Sequence, residues 1–331
     1  MIKQPSYFLV SLSNSENLEL CMKFALAGFP NTLNGVWTFS DINEGDYISF
    51  LYGARVHNLY KVENKEALKN AKNLPPWRPI EFKVSRKTYY FPFRLNLSPI
   101  RKLDEPLVRM EFAYVAENLL LRGGYRKTHF QGDQTTLQNI SQMGSIHEQT
   151  EKLRMPEYET FVPRFVRDRR LASPPEVYPL QEMILQAALR QLLSEGDKME
   201  LLLKLVGTEY LEVKTLEVLG EKALPEGHID ILIKEAVPIG LSKKIVLEVK
   251  MTSAQDKDIA QLKKYVDELG QECLGGVLIA GEFSKGIIHK IGEPQFANLH
   301  LLKYGLSDFS PNSPYTFDQL KERIQLESVS K

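Results

Sequence analysis

Cysteine is nearly absent: the 331 residues hold two, Cys21 and Cys273. A disulfide scaffold and a cysteine-rich zinc site are excluded, and a reducing compartment, the cytoplasm, is expected. Long apolar runs are also missing. The longest, such as 245–247 and 275–280, are of strand length, far short of the roughly 18 residues of a membrane span, so no membrane partner is expected. The opening MIKQPSYFLVSLSNS carries one lysine and no small-residue cleavage pattern, so no secretory signal is expected. The six histidines include no pair at metal-ligand spacing. Net charge is zero, which excludes a polybasic coating protein but leaves local nucleic-acid-binding patches open.

The composition that remains, 43% hydrophobic and 25% charged, is that of an ordinary globular protein, and the length suggests two domains. Charge is unevenly spread. Residues 1–150 hold 18 basic and 14 acidic side chains, 151–176 hold 6 and 5, and 177–331 hold 18 and 23. Strands are predicted over 7–12, 47–52, 56–62 and 88–97, the last with Pro92 marking an edge or bulge. Helices are predicted over 17–27 and 106–121, the second stopped by Gly123-Gly124. Residues 131–150 read as a polar loop and short helix. Residues 151–176, with Pro156, Pro163, Pro174 and Pro175, read as a linker. Beyond it come a helix at 181–193, strands at 210–219, 228–234 and 244–251, a helix at 257–269 and strands at 274–280 and 298–303. The expectation is an α/β (α+β) protein of two domains, 1–150 and 177–305, with a tail at 306–331.

Two neighbouring strands of the second half carry charge where apolar residues should stand. One is His228-Ile-Asp230-Ile-Leu-Ile; the other is Ile245-Val-Leu-Glu248-Val-Lys250. Glu248 and Lys250 are two residues apart, so their side chains leave one face of the strand. A carboxylate and an ammonium on an otherwise apolar strand are costly unless paired or given a ligand. Phosphodiester hydrolysis uses such a set. Asp230 and Glu248 offer hard oxygen ligands to Mg²⁺, with Mn²⁺ as a substitute, and Lys250 is placed to hold or deprotonate the attacking water.

The D…ExK pattern resembles that of the PD-(D/E)xK nuclease superfamily over roughly residues 177–305. Ile229 stands where the family commonly has proline. The resemblance implies a mixed sheet flanked by helices. It implies a metal-assisting glutamate on the first core helix, matched by Glu182 in PLQEMILQAALRQLL. In RecB-like and NucS-like branches a Gln and a Tyr one helical turn apart follow the ExK strand, matched here by Gln261 and Tyr265. The implied catalytic set is Asp230, Glu248, Lys250, Glu182 and Gln261, with Asp230 and Glu248 holding the metal.

The first half contains both tryptophans, Trp37 after Asn34-Gly35-Val36 and Trp77 between prolines, in surroundings that read as loops. Two aromatic faces can sandwich a flipped base, and a methylated base gains by stacking. Over about residues 5–130 the sequence resembles the YTH/EVE-like (PUA-like) readers of modified bases, on Tyr7–Asn17, on Gly35-Val36-Trp37, on the strands at 47–62 and on Trp77. That resemblance implies a β-barrel with helices, a cage of Trp37 and Trp77, and Ser13, Asn14 and Asn17 as hydrogen-bonding partners of the base edge. Arg122, Arg126 and Lys127 flank Gly123-Gly124, whose backbone can approach a phosphate.

A reader and a nuclease on one chain together resemble modification-dependent restriction endonucleases of the McrBC-related type. The expected substrate is double-stranded DNA carrying a modified base, N6-methyladenine before methylcytosine, cut by a homodimer assembled on the DNA. The alternatives are a structure-specific or mismatch repair nuclease and a non-catalytic reader of modified nucleic acid.

Overall fold

The computed structural model describes residues 4–53, 55–82, 86–107, 128–147, 150–224 and 227–329. The predicted helix at 106–121 and the basic turn with Arg122, Arg126 and Lys127 lie almost wholly outside them. The chain forms two compact units, Gln4–Pro179 and Leu180 onward.

The first unit opens with β1 (Tyr7–Ser11), α1 (Ser15–Phe24), β2 (Leu26–Phe29), α2 (Leu33–Asp41), β3 (Tyr47–Tyr52) and β4 (Arg55–Leu68). A small hairpin of β5 (Ile80–Phe82) and β6 (Lys87–Tyr89) follows, then β7 (Phe93–Lys102), β8 (His129–Gly132), α3 (Gln134–Ser141) and β9 (Ser145–Ile146). Three short strands close it: β10 (Thr160–Phe161), β11 (Arg164–Val166) and β12 (Val177–Pro179). The main sheet runs β2-β7-β4-β3-β1-β8, with β9 on β7 and β10 on β4. Strand β1 is buried from Tyr7 to Val10 because it lies inside the sheet, parallel to β3 and antiparallel to β8. Such two-sided burial suits its unbroken apolar run.

Two expectations for this unit need correction. The described strands close no barrel; β2 and β8 are the edges of an open sheet. The stretch read as a linker is built into the unit. Glu151 N–H donates to the Lys23 carbonyl, β10 pairs antiparallel with β4, and β11 pairs parallel with β12. Prolines there punctuate short strands instead of marking a flexible spacer.

The second unit runs α4 (Glu182–Leu193), α5 (Gly196–Val206), β13 (Leu216–Leu224), β14 (Gly227–Glu235), β15 (Lys244–Ser253), α6 (Asp256–Leu269) and β16 (Cys273–Glu282). It continues with α7 (Lys285–Ile291), β17 (Leu299–Leu306), β18 (Tyr315–Thr316), α8 (Phe317–Arg323) and β19 (Ile324–Ser328). One mixed sheet has the order β13-β14-β15-β16-β17-β19. β13, β14 and β15 are antiparallel neighbours, β15, β16 and β17 are parallel, and β19 returns antiparallel to β17. The expected tail is thus an edge of the sheet. Thr316 and Gln319 form the reciprocal cap that starts α8, a pattern present in the sequence.

Both faces of this sheet are covered. Ile231, Ile233, Ile245, Leu247 and Val249 pack with Leu185, Leu189 and Leu192 of α4 and Met199, Leu202 and Leu203 of α5. Val246, Leu278, Leu299 and Leu301 pack with Ile259, Leu262, Tyr265 and Val266 of α6 and Ile287 of α7. Each fully buried aliphatic side chain contributes about 1.5–3 kcal/mol. Strand alternation then sends Glu248 and Lys250 to the face of Val246, between sheet and α6, where charge is expensive.

Candidate active site

Regular pairing of β14 with β15 ends at Ile231 and Leu247. One residue further out a side chain replaces the ladder: Asp230 Oδ2 accepts the Val249 N–H at 2.7 Å. Asp230 is thereby turned into β15, beside Glu248. Glu248 is 1% exposed. Its Oε1 lies 2.8 Å from Lys250 Nζ, while its Oε2 is buried with no hydrogen-bond partner. Glu182, in the first turn of α4, reaches the same place: its Oε1 is 3.4 Å from Lys250 Nζ and its Oε2 accepts the Met251 N–H at 3.2 Å. The structure therefore brings together Asp230, Glu248, Lys250 and Glu182, four side chains from three elements.

The electrostatics follow from that crowding. Burial pushes the Asp230 carboxyl well above the usual carboxylate range, and the charge of Glu248 pushes it further, against the Val249 N–H and Lys250. Burial also raises Glu248, with Lys250 opposing. Burial works to lower Lys250, but the charge of Glu248 and their hydrogen bond outweigh it, so its ammonium is held above its ordinary value. When Asp230, Glu248 and Glu182 are all ionised, one ammonium leaves two negative charges uncompensated. A divalent cation would offset that excess and give Glu248 Oε2 a partner. Among the described residues no group of three or more His, Cys, Asp or Glu side chains is gathered as a metal centre. Mg²⁺ asks for less, since it keeps several waters and takes one or two carboxylates.

Gln261 does not join this cluster directly. Its Nε2 donates to the Tyr265 hydroxyl at 2.8 Å, and Tyr265 donates to the His228 carbonyl at 2.9 Å, two residues before Asp230. A Cβ on Gly227 would sit 2.4 Å from the Tyr265 hydroxyl, so glycine is needed for this close approach. One acid escaped the sequence reading. Asp258 is buried at the start of α6, where it accepts the Gln255 N–H at 2.8 Å, and its charge acts on Glu248. The Gln255-x-x-Asp258 spacing before an amphipathic run is a capping signature that marks it.

The residues expected to read a base are placed differently from their sequence reading. Trp37 is not in a loop but on α2, 5% exposed, its ring edge-on to His129 at 4.5 Å. His129 is fixed by Asp41 at 2.9 Å and Thr38 at 2.9 Å. Trp77 does lie in a coil but is 6% exposed, against Phe91 and the Arg94 guanidinium. Gly28 and Arg94 are partners across β2 and β7, and a Cβ on Gly28 would meet the Trp77 ring at 2.4 Å. The two indoles thus pack on different partners. Asn14 caps α1 by accepting the Asn17 N–H at 2.7 Å, Asn17 lies in the first turn of that helix, and Ser13 is exposed just before it.

No protein-family model matches the chain, and no curated protein matches it. Among solved structures it is similar to EndoMS in complex with double-stranded DNA, at 23% identity and TM-score 0.22, over 33% of this chain and 45% of that one. The chain therefore matches less than half the length of that protein. A repair endonuclease from Pyrococcus abyssi shows 19% identity and TM-score 0.26 over 46% and 70%. The DNA modification-dependent restriction endonuclease AspBHI shows 12% identity and TM-score 0.19 over 95% and 79%. The last two of these neighbours are a repair and a restriction endonuclease by name. Likenesses this slight establish neither fold nor activity for the chain, which leaves the carboxylate cluster to carry the functional reading.

Proposed function

We propose that the second unit is a PD-(D/E)xK-type endonuclease that hydrolyses phosphodiester bonds in DNA with Mg²⁺ or Mn²⁺, and that the first unit directs it to a methylated base. The observation that carries the nuclease reading is the buried, unpartnered Glu248 Oε2 beside Asp230 and Lys250. Asp230 and Glu248 would hold the cation. When bound, it offsets charge on the scissile phosphate and acidifies water. Lys250, 2.8 Å from Glu248, is placed to hold or deprotonate the attacking water and to offset charge on a phosphoryl oxygen. Glu182 keeps Lys250 and the Met251 peptide in place. Gln261 supports the start of β14 through Tyr265.

For the first unit, Trp37 and Trp77 remain the stacking candidates, with Ser13, Asn14 and Asn17 as polar ones. Arg122, Arg126 and Lys127 are candidates for phosphate contact. The burial of both indoles favours a second reading, a DNA nuclease indifferent to modification, in which the tryptophans are core. One experiment separates these: matched methylated and unmethylated duplexes incubated with the protein in Mg²⁺ and in EDTA. Cutting of methylated duplex alone, abolished by EDTA, is expected. Equal cutting of both supports the second reading, and no cutting with any divalent cation removes the nuclease assignment.

A further inference from the structure

Regular pairing between β15 and β16 breaks immediately after Lys250. Lys250 faces Ala280 and Ser253 faces Glu282, so Met251 and Thr252 stand opposite Gly281 alone. Two residues against one is a β-bulge, a device that re-aims neighbouring side chains. The bulged peptide is held by side chains from both ends. Glu182 accepts the Met251 N–H, and the Tyr304 hydroxyl donates to the Met251 carbonyl. Tyr304 belongs to β17, two strands from β15, so its ring must pass over the intervening β16. It does so at Gly281: a Cβ there would lie 3.7 Å from Tyr304 Cε1 and 3.4 Å from the Met251 and Thr252 carbonyl oxygens. A methyl group would just fit, whereas a branched side chain would displace the ring. Tyr304 is itself buried in the core that includes α4, the helix that delivers Glu182.

We propose that Tyr304 is a positioning residue of the nuclease centre: with Glu182 it clamps the Met251 peptide at the bulge and so fixes the direction from which Lys250 meets Glu248. Its catalytic consequence rests on the nuclease reading above; the clamp rests on the bulge geometry alone. A carbonyl that loses its donor leaves the Met251–Thr252 peptide free to turn and loosens the bulge that carries the Met251 N–H, and small misplacements of a reacting group can cost as much as about 100-fold in rate.

Tyr304→Phe keeps the ring and removes the hydroxyl. In Mg²⁺-dependent cleavage it should lower kcat by about ten-fold or more while leaving KM for duplex DNA within about two-fold, the mark of a lost transition-state arrangement. Hydrogen exchange should quicken at the Met251 amide, whose bond to Glu182 is the other half of the clamp, by about five-fold, the equivalent of one net hydrogen bond of local stability. The Val249 amide, held by Asp230, should keep its rate. General loosening would quicken both amides, and that result overturns the proposal. Gly281→Val should reproduce both effects by pushing the ring aside without touching the tyrosine. A Tyr304→Phe protein with the wild-type kcat, or with unchanged Met251 exchange, also overturns it. If the wild-type protein cuts no DNA, the nuclease reading falls and the catalytic part falls with it, while the exchange rates still decide the clamp.

Discussion

Asp230 and Glu248 bind protons more tightly in the folded chain than in the unfolded one, because burial disfavours their ionisation, reinforced at Asp230 by the charge of Glu248 and at Glu248 by the charges of Asp258 and Glu182. Groups raised in this way contribute stability that is full below the ordinary carboxylate range, near about 4, and is lost as pH rises through their raised folded values. The metal-free protein should therefore weaken between mildly acid and neutral pH. Asp230→Asn retains an oxygen for the Val249 N–H and removes the charge. In EDTA at pH 7 it should melt higher than wild type by about 2–4 °C, the equivalent of about 1 kcal/mol in a domain of this size, with the gap closing towards pH 4. Mg²⁺ should raise the melting point of wild type and leave Asp230→Asn nearly unmoved. A variant that melts lower than wild type in EDTA at pH 7 contradicts the crowded-carboxylate account. The same substitution should reduce cleavage by at least about 100-fold, as should Glu248→Gln and Lys250→Ala, measured as initial rates on a duplex at saturating Mg²⁺.

At the scale of elements, α2 shows why a glycine can mislead. Gly35 in Asn34-Gly35-Val36-Trp37 reads as a loop signal, yet Thr32 caps a helix there, its hydroxyl accepting the Gly35 N–H at 3.2 Å. A Cβ at Gly35 would fall 1.8 Å from the Pro30 carbonyl oxygen, so the glycine serves close packing, not a turn. Trp37→Ala should accordingly destabilise the first unit by about 3–5 kcal/mol, read as a fall in its denaturant midpoint at unchanged slope. An unaltered preference for methylated over unmethylated duplex in Trp37→Ala protein that remains folded would exclude Trp37 from the cage. The acidic cluster was legible because strand alternation places Glu248 and Lys250 together whatever surrounds them. The contribution of β19 was not, since Ile324–Ser328 acquires its place only by pairing with β17, a long-range choice that a five-residue stretch does not encode. The same holds for 151–179, where strand pairing outweighs a proline-rich composition. Short helices α5 and α7 were lost between stronger neighbouring patterns, although Ser284 capping Ile287 N–H at 3.3 Å marks the start of α7.

For the whole molecule, the proposed function requires two units with opposite charge balance to share one nucleic acid. The first 150 residues are net basic and the residues from 177 net acidic, so on the proposed function sequence-independent phosphate binding would fall to the first unit and the acidic cluster of the second would be left to a cation. Affinity of the full chain for unmodified duplex should then fall steeply with salt, and Glu248→Gln should leave that slope unchanged, because it removes a metal ligand and no phosphate contact. A single cluster of this kind per chain, among the described residues, would sever one strand at a time if the proposed chemistry holds. A double-strand break in one encounter needs two chains, or else the product is a nick that a second event converts. Dimerisation on DNA is the expected solution. Sedimentation of the Glu248→Gln protein with a methylated duplex in Mg²⁺ should give two chains per duplex, and wild type on a supercoiled plasmid should yield linear product without accumulating the nicked form. One chain per duplex together with direct linearisation would contradict the single-strand chemistry proposed for the site, because one pair of carboxylates would then have to act on both strands without release. One chain per duplex together with nicked product retains the chemistry and removes the dimer.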